Sequence, residues 1–125
     1  DGECQEGTTW ESLLIAAKYK LSNLIILIDY NKIQALSTLE DGLPLKNLTK
    51  KIKSFNCECI NVKNAHSINN LIKSLNSIKN NTKPKVVILN TIKGKGIKEF
   101  ENDPVWHARK IEGNDISIGK KRLGL

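Results

Sequence analysis

Along the chain, apolar stripes at helical spacing alternate with short unbroken apolar runs. Trp10, Leu13, Leu14, Ala17 and Leu21 fall at i, i+3, i+4, i+7 and i+11, which predicts a helix with one apolar face. Thr8, with Glu11 three positions later, fits a capping box at its start. Leu24 to Ile28 is apolar without alternation, the pattern of a parallel strand buried on both faces, and it closes on the polar residues Asp29, Tyr30 and Asn31. Residues 32–44 keep no period and contain Gly42 and Pro44, so a loop is expected. Leu45, Leu48, Ile52 and Phe55 predict a second helix, and Cys57 to Val62 a short strand. Ile68, Leu71, Ile72, Leu75 and Ile78 predict a third helix, closed by Asn80 and Asn81. Lys85 to Thr91 encloses the apolar run Val86 to Leu89, and Lys93-Gly94-Lys95-Gly96 follows. From Lys98 the period fades, and the chain ends in a basic tail with Lys120, Lys121 and Arg122.

Strands alternating with helices predict an α/β fold, a parallel sheet with flanking helices joined by right-handed crossovers. Ligands of such sheets bind at the carboxyl ends of the strands. Three segments belong there: residues 1–7, residues 29–34 and residues 91–96. The first precedes a helix but has no strand of its own, so the sheet is expected to be incomplete at the N-terminus.

Composition narrows the possible functions. The 125 residues suit one domain. No apolar run approaches the ~20 residues that span a bilayer, so a soluble chain is expected. Cys4, Cys57 and Cys59 make no disulfide framework, which points to reduced thiols and a cytoplasmic location. Cys57 and Cys59 share one face of their strand as core residues, and a zinc site with His66 lacks a second ligand pair at a familiar spacing. The net charge of +7 raises nucleic acid as a partner. The charge is unevenly spread, with three Lys against seven acids in residues 1–44 and seventeen Lys and Arg against six acids after them. Only two of the basic residues are Arg, and no aromatic residues interleave them, so a nucleic-acid surface is not expected.

The chemistry-bearing pieces are few. Lys93 to Gly96 is Gly-rich but lacks the spacing of a Walker loop or a dinucleotide fingerprint. His66, at a helix start, reads as a capping or surface residue, and His107 beside Trp106 reads by itself as a packed one. Asp1 and Asn31 could make a metal corner, since a carboxylate and an amide oxygen are hard ligands that suit magnesium or calcium, with Gly2 letting the backbone approach a phosphate, beside which magnesium is common. The same residues also read as an ordinary turn and a strand-end Asn.

The strings DGECQEGTTWE, LSNLIILIDYNKIQ and TIKGKG, with a Trp-His pair further on, resemble the diphosphate-binding part of thiamine diphosphate enzymes. Within that group they are most similar to transketolase, especially the N-terminal subunit of its two-subunit kind. That family's motif is Gly-Asp-Gly followed about thirty residues later by Asn; here Asp1 and Asn31 keep the spacing. The resemblance covers residues 1–108 and implies that residues 1–110 are the C-terminal part of a diphosphate-binding domain, with 111–125 a basic tail. It implies Asp1, Asn31 and the main-chain carbonyl of Ile33 as magnesium ligands, and Gly2, Asn31 and His107 around thiamine diphosphate. His107 is also the implied catalytic residue near the sugar, followed by Ala108 where the family usually has Gly. Glu6 matches an acidic residue at the subunit interface. The implied activity is transfer of a two-carbon ketol unit from a ketose to an aldose, dependent on thiamine diphosphate and Mg2+. The implied partners are sugar phosphates and a pyrimidine-binding domain or subunit, in a homodimer or heterotetramer. Without that domain the chain is expected to be inactive. Two other readings stay open. One is a different thiamine diphosphate enzyme, such as deoxyxylulose-phosphate synthase or a 2-oxoacid dehydrogenase. The other is a non-catalytic basic binding module.

Overall fold

A computed structural model describes residues 1–35, 37–78 and 82–125. In chain order the regular elements are α1 (Gly7–Lys18), β1 (Ile25–Asp29), α2 (Leu48–Ser54), β2 (Glu58–Val62), α3 (Ile68–Asn76), β3 (Lys85–Leu89) and α4 (Asn114–Leu123). Short 3-10 turns lie at Gly2–Gln5, Lys98–Phe100 and Pro104–His107. The Asn80–Asn81 stop expected after α3 lies outside the described residues. Among the described residues no helix is long and apolar enough to cross a membrane.

The three strands form a parallel sheet in the order β1-β3-β2. Leu27 and Ile60 both pair with Val87, which fixes the register. The chain therefore steps over one strand position from β1 to β2 and steps back to β3. Right-handed crossovers with such a reversal place the two connecting helices on opposite faces, and the packing agrees. Ile28, Ile52, Cys57, Val86 and Ile88 form a cluster on the α2 face, with Leu13 of α1 and Cys4 joining it. Val62, Ala65 and Val87 form a second cluster on the α3 face, with Ile60 and Leu71 against it.

Central β3 is the strand buried on both faces, as its unbroken apolar run implies. Its first residue, Lys85, is 4% exposed, and its ammonium donates to the carbonyl of Ser22 in the α1–β1 turn. Within this chain β1 lies at the edge of the sheet, and Ile25 and Leu27 are 45% and 57% exposed, short of the two buried faces that its apolar run predicts.

Three details of the helices also differ from expectation. Helix α1 begins at Gly7, with Glu6 as an extended N-cap residue whose side chain makes no capping bond. The preceding 3-10 turn runs straight into the helix, so Thr8 already lies inside it. The hydroxyl that helps anchor this turn belongs to Thr9, donating to the Glu3 carbonyl at 2.7 Å. The buried line of α1 is Leu13 and Ala16, while Leu14 is 56% exposed, because the helix is covered along only one narrow line. At the C-terminal end, where no period was visible, α4 forms, and Arg122 in its last turn bonds Glu99 through Nε at 2.9 and 3.1 Å.

Candidate functional site

The site is built where β1 ends. Its ladder continues one step, with Tyr30 N–H donating to the Leu89 carbonyl at 2.8 Å. Asn31 then turns the chain, its Oδ1 accepting from Ile33 N–H at 2.9 Å, the Asx-turn geometry that short amide side chains favour. Asn31 Nδ2 donates to Asp29 Oδ2 at 3.0 Å, and Thr91 Oγ1 donates to the other oxygen of Asp29. Asp29 thus fixes which way the Asn31 amide faces. The turn requires Lys32 at φ +66, an uncommon backbone state for a residue with a side chain. Its N–H points at Asp1 Oδ2, 2.6 Å away. One bond therefore ties the turn after β1 to the turn before α1.

Asp1, Gly2, Asn31, Ile33 and His107 line one hollow of about 370 Å³. His107 is 76 positions from Asn31 and arrives on the Pro104–His107 turn, whose first bond is capped by Asp103. Behind it Trp106 stacks on buried Phe100, with ring centroids 3.9 Å apart, and the Arg109 guanidinium lies over the Trp106 ring at 4.6 Å. Ala108 has φ −136, which alanine adopts without strain, so a glycine is not required there. Glu6 does not line the hollow; it is exposed at the start of α1.

The donors in the hollow suit a hard cation beside a phosphate. Asp1 brings a carboxylate, Asn31 an amide oxygen with one lone pair unused by its turn, and Ile33 a main-chain carbonyl. Among the described residues, no three His, Cys, Asp or Glu side chains gather into a metal cluster. Gly2 presents no side chain, and a Cβ there would meet nothing within 4 Å. Gln34, also on the hollow, keeps its Nε2 amide buried with no hydrogen-bond partner. These residues fit magnesium and a diphosphate.

Sequence reasoning singled out the principal lining residues and missed their supports. Asp29, Gln34 and Thr91 were visible only as members of the strand-end segments 29–34 and 91–96, with no role of their own. Two other candidates lie apart from the hollow. Lys93 to Gly96 forms a turn with Gly94 at φ +75, where a Cβ would stand 2.3 Å from the Phe100 carbonyl oxygen. His66 is exposed but is not the cap of α3, since Ser67 Oγ accepts from Asn70 N–H. The three thiols are pushed up by burial, which keeps them protonated and unreactive at neutral pH.

The sequence and the fold have counterparts among known proteins. The family model of the transketolase thiamine diphosphate binding domain matches residues 1–125. The chain belongs to this family. Among transketolase relatives, an apulose-4-phosphate transketolase subunit from Actinobacillus succinogenes is 41% identical over 123 residues, covering 98% of this chain and 44% of that protein. The transketolase of Homo sapiens is 32% identical over 118 residues, covering 91% of the chain and 18% of the human protein. The crystal structure of transketolase from Campylobacter jejuni superposes with a TM-score of 0.89 at 27% identity, covering all of this chain and 20% of that one. The chain thus spans less than half the length of these relatives.

Proposed function

We propose that this chain supplies the metal- and diphosphate-binding corner of a thiamine diphosphate-dependent transketolase, an enzyme moving a two-carbon ketol unit from a ketose to an aldose. The observation that carries this reading is the meeting of Asp1, Gly2, Asn31, Ile33 and His107 in one hollow, from three segments distant in sequence. Family membership and the identity to transketolase subunits support it.

Asp1, Asn31 and the Ile33 carbonyl would hold Mg2+, and the ion would offset the charge of the diphosphate. Gly2 would leave room for phosphate oxygens at the turn. When bound, thiamine diphosphate supplies a stabilised carbanion that carries the ketol unit. His107, on the rim, would hold the sugar by a hydrogen bond and take or return a proton at its hydroxyl. Exposed Glu6 would face a pyrimidine-binding domain or subunit. Relatives from Actinobacillus succinogenes and Phocaeicola vulgatus are named as transketolase subunits, which supports a second chain. The substrates would be sugar phosphates, the assembly a homodimer or heterotetramer, and the location cytoplasmic.

The test is calorimetric titration of the complete protein with thiamine diphosphate and Mg2+, followed by a ketol-transfer assay. Asp1→Ala is expected to weaken Mg2+-dependent cofactor binding by more than about 100-fold, since losing even a residue that merely orients a metal ligand costs 10–100-fold. Unchanged affinity in Asp1→Ala would remove the metal corner from the hollow.

A further inference from the structure

The segment from Thr91 to His107 contains no strand and buries one side chain, that of Phe100. It is nevertheless the part that brings His107 to the hollow. Its first anchor comes from across the sheet. Nε2 of His66, in the turn between β2 and α3, accepts the backbone N–H of Ile92 at 2.7 Å. The mount of His66 is itself fixed. Asn64 Oδ1 accepts from His66 N–H at 3.2 Å, and Ala65 N–H donates to the Asn90 carbonyl at 3.1 Å.

From Ile92 a continuous set of contacts leads to the rim of the hollow. Ile92 O accepts from Lys95 N–H, and Lys93 O accepts from Asn102 N–H at 3.0 Å. Gly94 lies against the Phe100 backbone, so closely that no side chain fits between them. Phe100 stacks on Trp106, the residue before His107. An anchor lost at Ile92 therefore loosens the base of this chain of contacts.

We propose that His66 is a positioning residue, whose neutral imidazole holds Ile92 and thereby sets the segment that presents His107. A neutral imidazole has one donor and one acceptor nitrogen, so Nε2 can accept only while the proton sits on Nδ1. Protonation turns both nitrogens into donors, and the Ile92 N–H then faces another N–H. The charged groups that line the same hollow as His66 are Lys63 after β2 and Lys95 after β3, the latter paired with Glu101 at 3.2 Å; the first turn of α3 adds no acidic residue.

The experiment is hydrogen–deuterium exchange of the 90–97 segment in the complete protein, corrected for intrinsic rates, for the wild type, His66→Leu and His66→Gln at pH 8 and pH 5.5. At pH 8, His66→Leu is expected to exchange about five- to tenfold faster than the wild type, the size of one lost hydrogen bond. His66→Gln places an amide oxygen near the Nε2 position and is expected to restore protection at both pH values. The wild type is expected to lose protection at pH 5.5, a readout that needs no variant. Equal protection in the wild type and His66→Leu at pH 8 would overturn the assignment, as would wild-type protection that is unaffected by acid. A turnover arm rests on the transketolase reading: kcat/KM of His66→Leu should fall about tenfold, with His66→Gln close to the wild type. Exchange effects without any transfer by the wild type would count against that reading, whereas transfer with unchanged exchange would count against His66.

Discussion

The two ends of the candidate site are held by different physics. Asp1, Asn31 and Ile33 stand at the edge of a sheet whose central strand buries Val86, Val87 and Ile88 almost completely. Their positions follow from β1 pairing with that strand and from the hydrogen bonds that join Asp1, Asp29 and Asn31 at its end. His107 stands at the end of a segment that has turns, one stacked aromatic pair and exposed ion pairs in place of a core. The first arrangement resists displacement because any shift opens a void. The second is held at single contacts, each of which can be removed by one substitution. The proposed metal corner would need fixed oxygen positions, whereas the proposed sugar contact at His107 would have to tolerate passage.

Substitutions on either side of this divide should separate stability from turnover. Ile52 is fully buried under the sheet, so Ile52→Ala should cost about 2–5 kcal/mol, read as a lower urea midpoint for the complete protein. Gly94→Ala forces a Cβ into the Phe100 carbonyl at a backbone angle that favours glycine, a strain of about 1–3 kcal/mol. Its expected signature is a 10- to 100-fold loss of kcat/KM, of the size that a misplaced group produces, with amide protection of β3 unchanged. Global unfolding by Gly94→Ala would erase the proposed boundary between the two regions.

The smallest effect belongs to the Arg122–Glu99 contact, which ties α4 to the His107 segment. The Arg122 guanidinium holds the Glu99 carboxyl below its usual range, chiefly through the hydrogen bond between them. A lowered carboxyl value means that the contact is present at neutral pH and is lost only as pH falls through that lowered value. Both groups are solvent-exposed, so Arg122→Met should leave the melting temperature nearly unchanged. It should speed amide exchange in residues 97–109, and high salt should bring the wild type toward the variant.

What could be read from sequence follows the same divide. The strands, α2 and α3 were legible because burial in a layered core imposes a period or an apolar run. The edge position of β1 within this chain was not, since Ile25 and Leu27 are as apolar as the central strand they flank. Asp1 and Asn31 were legible through the resemblance to the family's motif, since their residue types and spacing alone read as well as a turn and a strand-end Asn. Their supports, Asp29, Thr91 and the Lys32 amide, act through single hydrogen bonds, which leave no pattern in a sequence. Helix α4 was hidden because it is held by Arg109–Asp115 and Arg122–Glu99 pairs and exposes Ile116 and Leu123, so its apolar stripe is faint.

Lys85 bears on how the chain finds this arrangement during folding. Val86 to Leu89 would be nearly as comfortable one step along in either direction, since each residue there is apolar. A slip of one residue would swing the Lys85 ammonium from the Ser22 carbonyl to the α2 face, towards the apolar cluster that holds Ile52 and Cys57, and would turn Val86 and Ile88 away from that cluster. A single cation at the entrance of the strand thus works as an index mark, admitting one alignment of the sheet. By making the newly made strand less adhesive to other copies of itself, it also acts as a gatekeeper while β1 and β2 have yet to close around it.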